Sequence, residues 1–336
     1  MEQFDIPVGL FLFKRIDTTL RIVDRISKVQ PKKIYLISDQ GRNDEEKLMV
    51  EKCRQAIEGM IDWECEIVKY YAMENRGVYE NIGEGAKWVL QREKSAIFLE
   101  DDNLPEVSFF YFCRELLQKY EKEPRVLWIC GTNYLGKYEP DNGSSYMFTK
   151  HLLPCGWASW GEKFCKFYDG EMKTFSAKES RRTLKHQYEN HALFRYQFRL
   201  FEKTAYLLEN DRKKSSWDYQ MAYSVRNNGV YGISPKYNQI ENIGVDEFSE
   251  HGGTSFQDVM TRRFCGMKSY FLNQPFIHPE SIEVDKQYEK KIGNIILPPF
   301  SVRIRIVIAD IVKLILGMDR NQSLALYLKS RRNKSK

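Results

Sequence analysis

An α/β fold, with a mostly parallel sheet flanked by helices, is predicted by two features of the first 135 residues. Short apolar runs alternate with longer amphipathic ones, and several of the apolar runs stop abruptly at charged residues. Strand and helix patterns in alternation imply parallel strands joined by helical crossovers. Ligands of such sheets bind beyond the carboxyl ends of the strands, where the charges lie here.

Pro7–Lys14 reads as a buried strand, with Val8, Leu10, Phe11, Leu12 and Phe13. Thr18–Lys28 reads as a helix, with Leu20, Ile22, Val23 and Ile26 on one side. Lys33–Asp39 is a second strand that ends in an acid, and Asn43–Gly59 a charged amphipathic helix closed by glycine. Glu64–Tyr71 and Val78–Arg92 repeat the pair, followed by a strand at Ala96–Leu99, a helix at Glu106–Tyr120 and a strand at Arg125–Cys130. Residues 136–255 are less regular. They hold a loop at Tyr138–Ser145, a helical pattern over Thr183–Leu208, another over Ser215–Arg226, and a short strand around Tyr231–Pro235. His186 and His191, five apart, do not share a helix face and read as structural. Residues 256–336 read as a helical appendage, with an apolar but charge-broken stretch at Val302–Met318.

Ala96-Ile97-Phe98-Leu99 runs directly into Glu100-Asp101-Asp102. Acids after a strand can serve as turn residues or helix caps. Here Asn103, Glu106 and Pro105 already supply a capping-box-like helix start, which leaves the three carboxylates without a local task. Three hard oxygen donors suit Mg²⁺ or Mn²⁺ carried on a diphosphate. Lys14-Arg15 and Asp39 end two other strands, and Arg76 follows a third, so base, acid and metal ligands are expected on one edge. Neither GxxxxGK[ST] nor GxGxxG after the first strand occurs, which counts against P-loop NTPases, kinases and NAD dehydrogenases.

Composition narrows the class further. Of 336 residues, 42% are hydrophobic, enough for a sizeable core. The net charge of +6 is concentrated: residues 301–336 carry nine Lys/Arg against Asp310 and Asp319, and the remainder is at −1. A near-neutral body argues against a nucleic-acid surface. The apolar stretch with its basic tail is expected either to pack on the body or to lie in a membrane interface. Seven cysteines without a CxxC pair suggest a reduced, cytoplasmic protein and no zinc site. Met1-Glu2-Gln3-Phe4-Asp5 lacks the basic start of a signal peptide, and no 18-residue apolar run predicts a spanning helix.

The chain resembles the bacterial GT-A-fold glycosyltransferases, nucleotide-diphospho-sugar transferases of surface-polysaccharide synthesis. The resemblance runs from Leu10-Phe-Leu-Phe-Lys-Arg15 through Ile61–Glu66, Glu74-Asn-Arg-Gly77, Phe98–Asp102 with Phe109-Phe110 and Phe112-Cys113, and Cys130-Gly-Thr-Asn133. It continues through Gly156-Trp-Ala-Ser-Trp160, Ser216-Trp-Asp-Tyr-Gln220 and Asn242-Ile-Gly244 with His251, covering about residues 7–255. It implies a GT-A-like (Rossmann-like) fold, with a nucleotide-sugar-binding half over 1–135, an acceptor and catalytic half over 136–255, and a helical extension over 256–336. Glu100-Asp101-Asp102 would be the variant of the Asp-X-Asp metal motif, with Asp102 the direct Mn²⁺ or Mg²⁺ ligand and His251 near the metal. Asp39 would contact the nucleotide base, with Phe13, Arg15 and Arg76 also on the donor. Gly156-Trp157-Ala158 would lie between donor and acceptor, and Asp218 would be the catalytic base.

Two departures bear on the acceptor: Pro154-Cys155 precedes the Gly-Trp-Ala step, and Gly161-Glu162 follows Trp160. On the residues alone, Asp218 also reads as a helix-start acid. Trp157 and Trp160 also read as core aromatics. The implied reaction is inverting transfer to a saccharide or lipid-linked acceptor, in the cytoplasm or at the inner face of its membrane. A non-catalytic nucleotide-sugar or glycan-binding partner of a synthase complex, or a metal-dependent phosphoesterase, would use some of the same features.

Overall fold

The computed structural model describes residues 3–245, 261, 264–324 and 327. Its centre is an eight-stranded sheet built from β1 (Val8–Leu12), β2 (Lys33–Ser38), β3 (Glu66–Tyr71), β4 (Ser95–Glu100), β6 (Val126–Cys130), β7 (Tyr146–Thr149), β8 (Trp157–Trp160) and β9 (Tyr231–Pro235). The order across the sheet is β3-β2-β1-β4-β8-β6-β9-β7. β3, β2, β1 and β4 are parallel neighbours, as are β6 and β9. β8 runs antiparallel between β4 and β6, and β7 is antiparallel to β9. The expected α/β class is therefore the observed one, with helices on both faces of the sheet. A second, two-stranded sheet pairs β5 (Asn103–Pro105) with β10 (Ile240–Asn242) antiparallel.

Alternation along the strands builds both faces. Val8, Leu10 and Leu12, with Ile34, Leu36, Ile97 and Leu99, enter one apolar cluster. Phe11, with Tyr35, Ile37, Ala96 and Phe98, enters the other. This is the period of two of a strand buried on both sides. The first cluster is closed by α1 (Ile16–Ser27) through Ile22, Val23 and Ile26, by α2 (Asp44–Met60), and by the phenylalanines of α4 (Val107–Lys119). The second is closed by a helical segment that opens as a π-turn (Tyr79–Glu84) and continues as α3 (Gly85–Leu90). α5 (Gly161–Phe167), α6 (Ala177–Leu184), α7 (His191–Asn210) and α8 (Asp218–Asn227) complete that side. Gly9 is needed in β1 because a Cβ there would stand 2.7 Å from the Phe98 ring.

Two sequence expectations change here. Thr183–Leu208 is not one helix: α6 ends at Leu184, a short 3₁₀ turn follows, and α7 begins at His191. Asn190 makes the break, because its Oδ1 accepts from the amides of Ala192 and Leu193 and so caps a new helix. Asn103 is not the cap of α4. It lies in β5, and α4 starts after Glu106 without a side-chain cap. The β5–β10 pairing satisfies the Asn103 backbone and frees its side chain for the site below.

The C-terminal segment packs against the sheet through α9 (Lys286–Ile296), whose Tyr288 and Ile292 are fully buried. The Tyr288 hydroxyl meets Ser234 Oγ at 2.6 Å, and Val284 bridges to Phe148 on β7. α10 (Phe300–Ile315) follows. Among the described residues, no helix is long and apolar enough to cross a membrane.

Candidate functional site

Because β2, β1 and β4 are adjacent and parallel, their carboxyl ends deliver Asp39, Phe13-Lys14-Arg15 and Glu100-Asp101-Asp102 to one edge. A cleft of about 2260 Å³ opens there, lined by Phe13, Arg15, Asp39, the three acids and Asp218. Single small-molecule sites occupy ~300–1000 Å³, so there is room for two substrates.

The acid triplet is held from both sides. Arg15 Nη1 donates to Asp101 Oδ1 at 3.2 Å and to Asp102 Oδ2 at 3.1 Å. Asn103 Nδ2 donates to Asp102 Oδ1 at 2.6 Å, and Asn103 Oδ1 accepts the Gly156 amide at 2.8 Å. The opposite register partner of Asn103 is Asn242, whose side chain lies close enough to favour the ionised Asp102 carboxylate. The Ile243 amide donates to the Asp102 carbonyl at 2.9 Å. Gly244 lies against the Asp102 side chain so closely that any Cβ would overlap it. The two-stranded β5–β10 sheet is thus the clamp on Asp102.

Charge in this cluster exceeds what Arg15 offsets. Burial, reinforced by Asp102, Asp101 and Asp218, holds the Glu100 carboxyl well above its ordinary range. Burial pushes Asp101 up to about 7 against the opposing pull of Arg15, and raises Asp102 against Arg15, Asn242 and Asn103. An all-oxygen, over-charged donor set fits a hard divalent cation such as Mg²⁺ or Mn²⁺. No three His, Cys, Asp or Glu side chains among the described residues form a ready ligand group. His251, expected near the metal, lies outside the described residues.

Asp218 opens α8 and faces the same cleft, close enough for its charge to raise Glu100. Ser216 Oγ donates to Asp218 Oδ1. Trp217, beside it, is buried and anchors the helix start.

The remaining expected residues divide. Phe13 lines the cleft, with Lys14 and Arg42 over its ring. Asp39 reaches the cleft, but its carboxylate is filled: Oδ1 accepts from the amides of Gln40 and Arg76, and Oδ2 from Asn75 Nδ2 and the Gly77 amide. It therefore shapes the 75–77 loop, and burial raises its pKa despite those donors. Gly77 has φ +84°, and a Cβ there would meet the Lys213 carbonyl at 2.5 Å. The Arg76 side chain is outside the cleft lining. It stacks on Tyr70 and donates to Asn81 Oδ1 at 2.9 Å.

Gly156, at φ +60°, presses on Ile240. Trp157 is 1% exposed and stacks between Phe98 at 4.3 Å and Trp128 at 4.1 Å, with Phe164 and Trp217 beyond. Trp160 is also buried, its Nε1 donating to the Leu117 carbonyl. Both tryptophans take their core reading, and neither presents a face to the cleft. Trp157→Ala is expected to cost about 3–5 kcal/mol of stability, read as a fall in Tm. An unchanged Tm with weakened ligand binding would return Trp157 to the site.

Asn103, Asn242 and Gly244 are site residues whose roles sequence reasoning missed. Asn242 and Gly244 lie in a segment of the resemblance, but 138 residues of chain separate Asn103 from Asn242 and nothing local links Asn242 or Gly244 to Asp102.

Fold and site together define an α/β protein with a large cleft at the carboxyl edge of a parallel sheet, lined by carboxylates. No family model matches the chain, and no curated protein matches it. Among solved structures it is similar to a Pyrobaculum calidifontis mannosyltransferase in complex with GDP-Man and Mn²⁺. That pair shares 11% identity over 67% of this chain and 69% of that one, with a TM-score of 0.37. A UDP-glucose pyrophosphorylase complexed with UDP-glucose shares 10% identity over 71% and 94%, with a TM-score of 0.36. A 4-diphosphocytidyl-2C-methyl-D-erythritol synthase from Anaerococcus prevotii shares 11% over 60% and 85%, with a TM-score of 0.32. Similarities this distant assign no chemistry to the residues of this chain.

Proposed function

We propose that the protein is a divalent-metal-dependent glycosyltransferase of GT-A-like fold. It moves a sugar from a nucleotide-diphospho-sugar to a saccharide or lipid-linked acceptor, in bacterial surface-polysaccharide synthesis at the inner face of the cytoplasmic membrane. The observation that carries this reading is the meeting of Glu100-Asp101-Asp102 with Asp218 across one cleft large enough for donor and acceptor.

Asp102, with Glu100 and Asp101 beside it, would hold Mn²⁺ or Mg²⁺. When bound, the ion supplies positive charge to the departing diphosphate. Arg15 fixes the Asp101 and Asp102 carboxylates and sets the positive side of the donor site. Phe13 offers an aromatic edge to the base, and the Asp39-braced 75–77 loop forms the wall. Ser216 occupies Asp218 Oδ1, which leaves Oδ2 as the oxygen that would face the acceptor hydroxyl. Asp218 takes the proton of that hydroxyl as its oxygen bonds to the anomeric carbon. The bond from that carbon to the phosphate oxygen breaks, and the nucleoside diphosphate leaves with the electron pair. Attack opposite the leaving group inverts the anomeric centre.

A thermal-shift screen of nucleoside-diphospho-sugars, each with and without Mn²⁺, tests the donor site. A ligand of the native state present at 100 times its Kd adds about 2.7 kcal/mol of stability. The expected result is one sugar nucleotide that raises Tm only when Mn²⁺ is present. No shift with any sugar nucleotide refutes the reading. A shift without transfer or hydrolysis on a broad acceptor panel leaves a binding protein in place of an enzyme.

A further inference from the structure

α10 has its polarity turned inside out. Facing the protein, Asp310 ion-pairs with Arg199 of α7 and with Arg320, while Lys313, 9% exposed, donates to the Arg320 carbonyl at 2.8 Å. Arg320 also reaches Glu202 on α7 at 3.6 Å. Facing solvent are Phe300, Ile304, Val307, Ile308, Ile311, Leu314 and Ile315, up to 79% exposed. Their spacing of three and four places them along one stripe of the helix. A contiguous apolar stripe on the outside of a helix whose Asp310 and Lys313 turn toward the protein marks a surface meant for contact.

We propose that this stripe docks on an anionic lipid bilayer, with the helix axis in the plane of the interface. Charge complementarity selects that occupant. The segment 301–336 carries a net +7, Arg305 is exposed in the same helix, and the basic cluster Arg331-Arg332-Asn333-Lys334 follows in the sequence. An apolar face flanked by excess basic charge is the pattern of an interfacial helix, and anionic lipid attracts each nearby Lys or Arg. α10 does not span, since it is 16 residues long and interrupted by four charges.

The docking also orients the cleft. Ala309 and Lys313 of α10, with Arg199 and Lys203 of α7 and Arg320, line the same cleft as Asp102 and Asp218. With the stripe on the membrane, the part of the cleft lined by α10 is the part nearest the lipid, and Lys203 and Lys313 add basic groups to its lining. Resting on the glycosyltransferase reading, the acceptor is then an amphiphile with an anionic head group, which enters from the bilayer toward Asp218.

The test is co-sedimentation of the full chain with vesicles of phosphatidylcholine alone or of equal parts phosphatidylcholine and phosphatidylglycerol. It compares the native chain with Ile308→Glu/Ile311→Glu, whose outward positions leave the fold and its Tm unchanged. The native chain should partition onto the anionic vesicles at least tenfold more than the double variant, and more than onto phosphatidylcholine. Equal partitioning of the two proteins overturns the proposal. So does a native chain that ignores vesicles but forms a dimer that the double variant abolishes, which would assign the stripe to a second copy. Vesicle binding is read without donor or metal, so its failure and a failed sugar-nucleotide screen are separate results.

Discussion

Asp102→Ala is expected to lower metal-dependent release of nucleoside diphosphate by about 10²–10³-fold, the scale for losing one group that stabilises developing charge. The same substitution should leave Tm unchanged or raise it. Asp102 is one of several partly buried carboxylates that repel one another, and Arg15 keeps Asp101 as its partner after the change. Removing a member of an over-charged cluster relieves repulsion, whereas removing half of a balanced pair strands a charge. Turnover and thermal unfolding measured on one preparation check both halves. Native-like turnover would remove Asp102 from the donor site. A large fall in Tm would show that Asp102 serves chiefly to hold β5 against β10.

Asp218→Asn should keep donor binding and lose transfer, with kcat reduced by about 10²–10⁴, the range general-base catalysis contributes. The exchange preserves size, the hydrogen bond from Ser216 and the start of α8. What it removes is the ability to take a proton. Steady-state kinetics should therefore show kcat falling while the donor KM holds, and the Mn²⁺-dependent thermal shift with the sugar nucleotide should persist. Undiminished transfer would reduce Asp218 to a helix-start acid, favourable at the positive end of α8 and nothing more. The retaining mechanism would then be open again.

The sheet edge was legible in the sequence because strand ends are local events. Phe13 to Lys14, Ile37 to Asp39 and Leu99 to Glu100 are each a change from apolar to polar within one or two residues, and adjacent parallel strands bring such changes together. Helix faces were legible for the same reason: Ile22, Val23 and Ile26 follow the helical period and are buried as it requires. Asn190 is equally local, because an Asn before an apolar helical stretch is a start signal.

Side-chain partners were another matter. Asn103 followed by Glu106 satisfies the capping pattern, yet strand pairing with Ile240–Asn242 outweighs it and turns Asn103 onto Asp102. Asp39 carries the sequence signal of a ligand-facing acid, but four donors from its own loop and its neighbour fill both oxygens. Trp157 sits in the most ligand-like of the sequence segments, and packing between Phe98 and Trp128 takes its ring into the core.

The sequence by itself determined the α/β class, the acid-tipped strand ends and the concentration of basic charge at the C-terminus. Periodicity and composition encode those within a few residues. Tertiary structure alone decided which acids face one another, that Arg15 is spent on Asp101 and Asp102, and that α10 turns Asp310 and Lys313 inward and its apolar stripe outward. Those outcomes depend on pairings across more than a hundred residues of chain, such as Arg199 with Asp310 or Asn103 with Asn242, which no local pattern records.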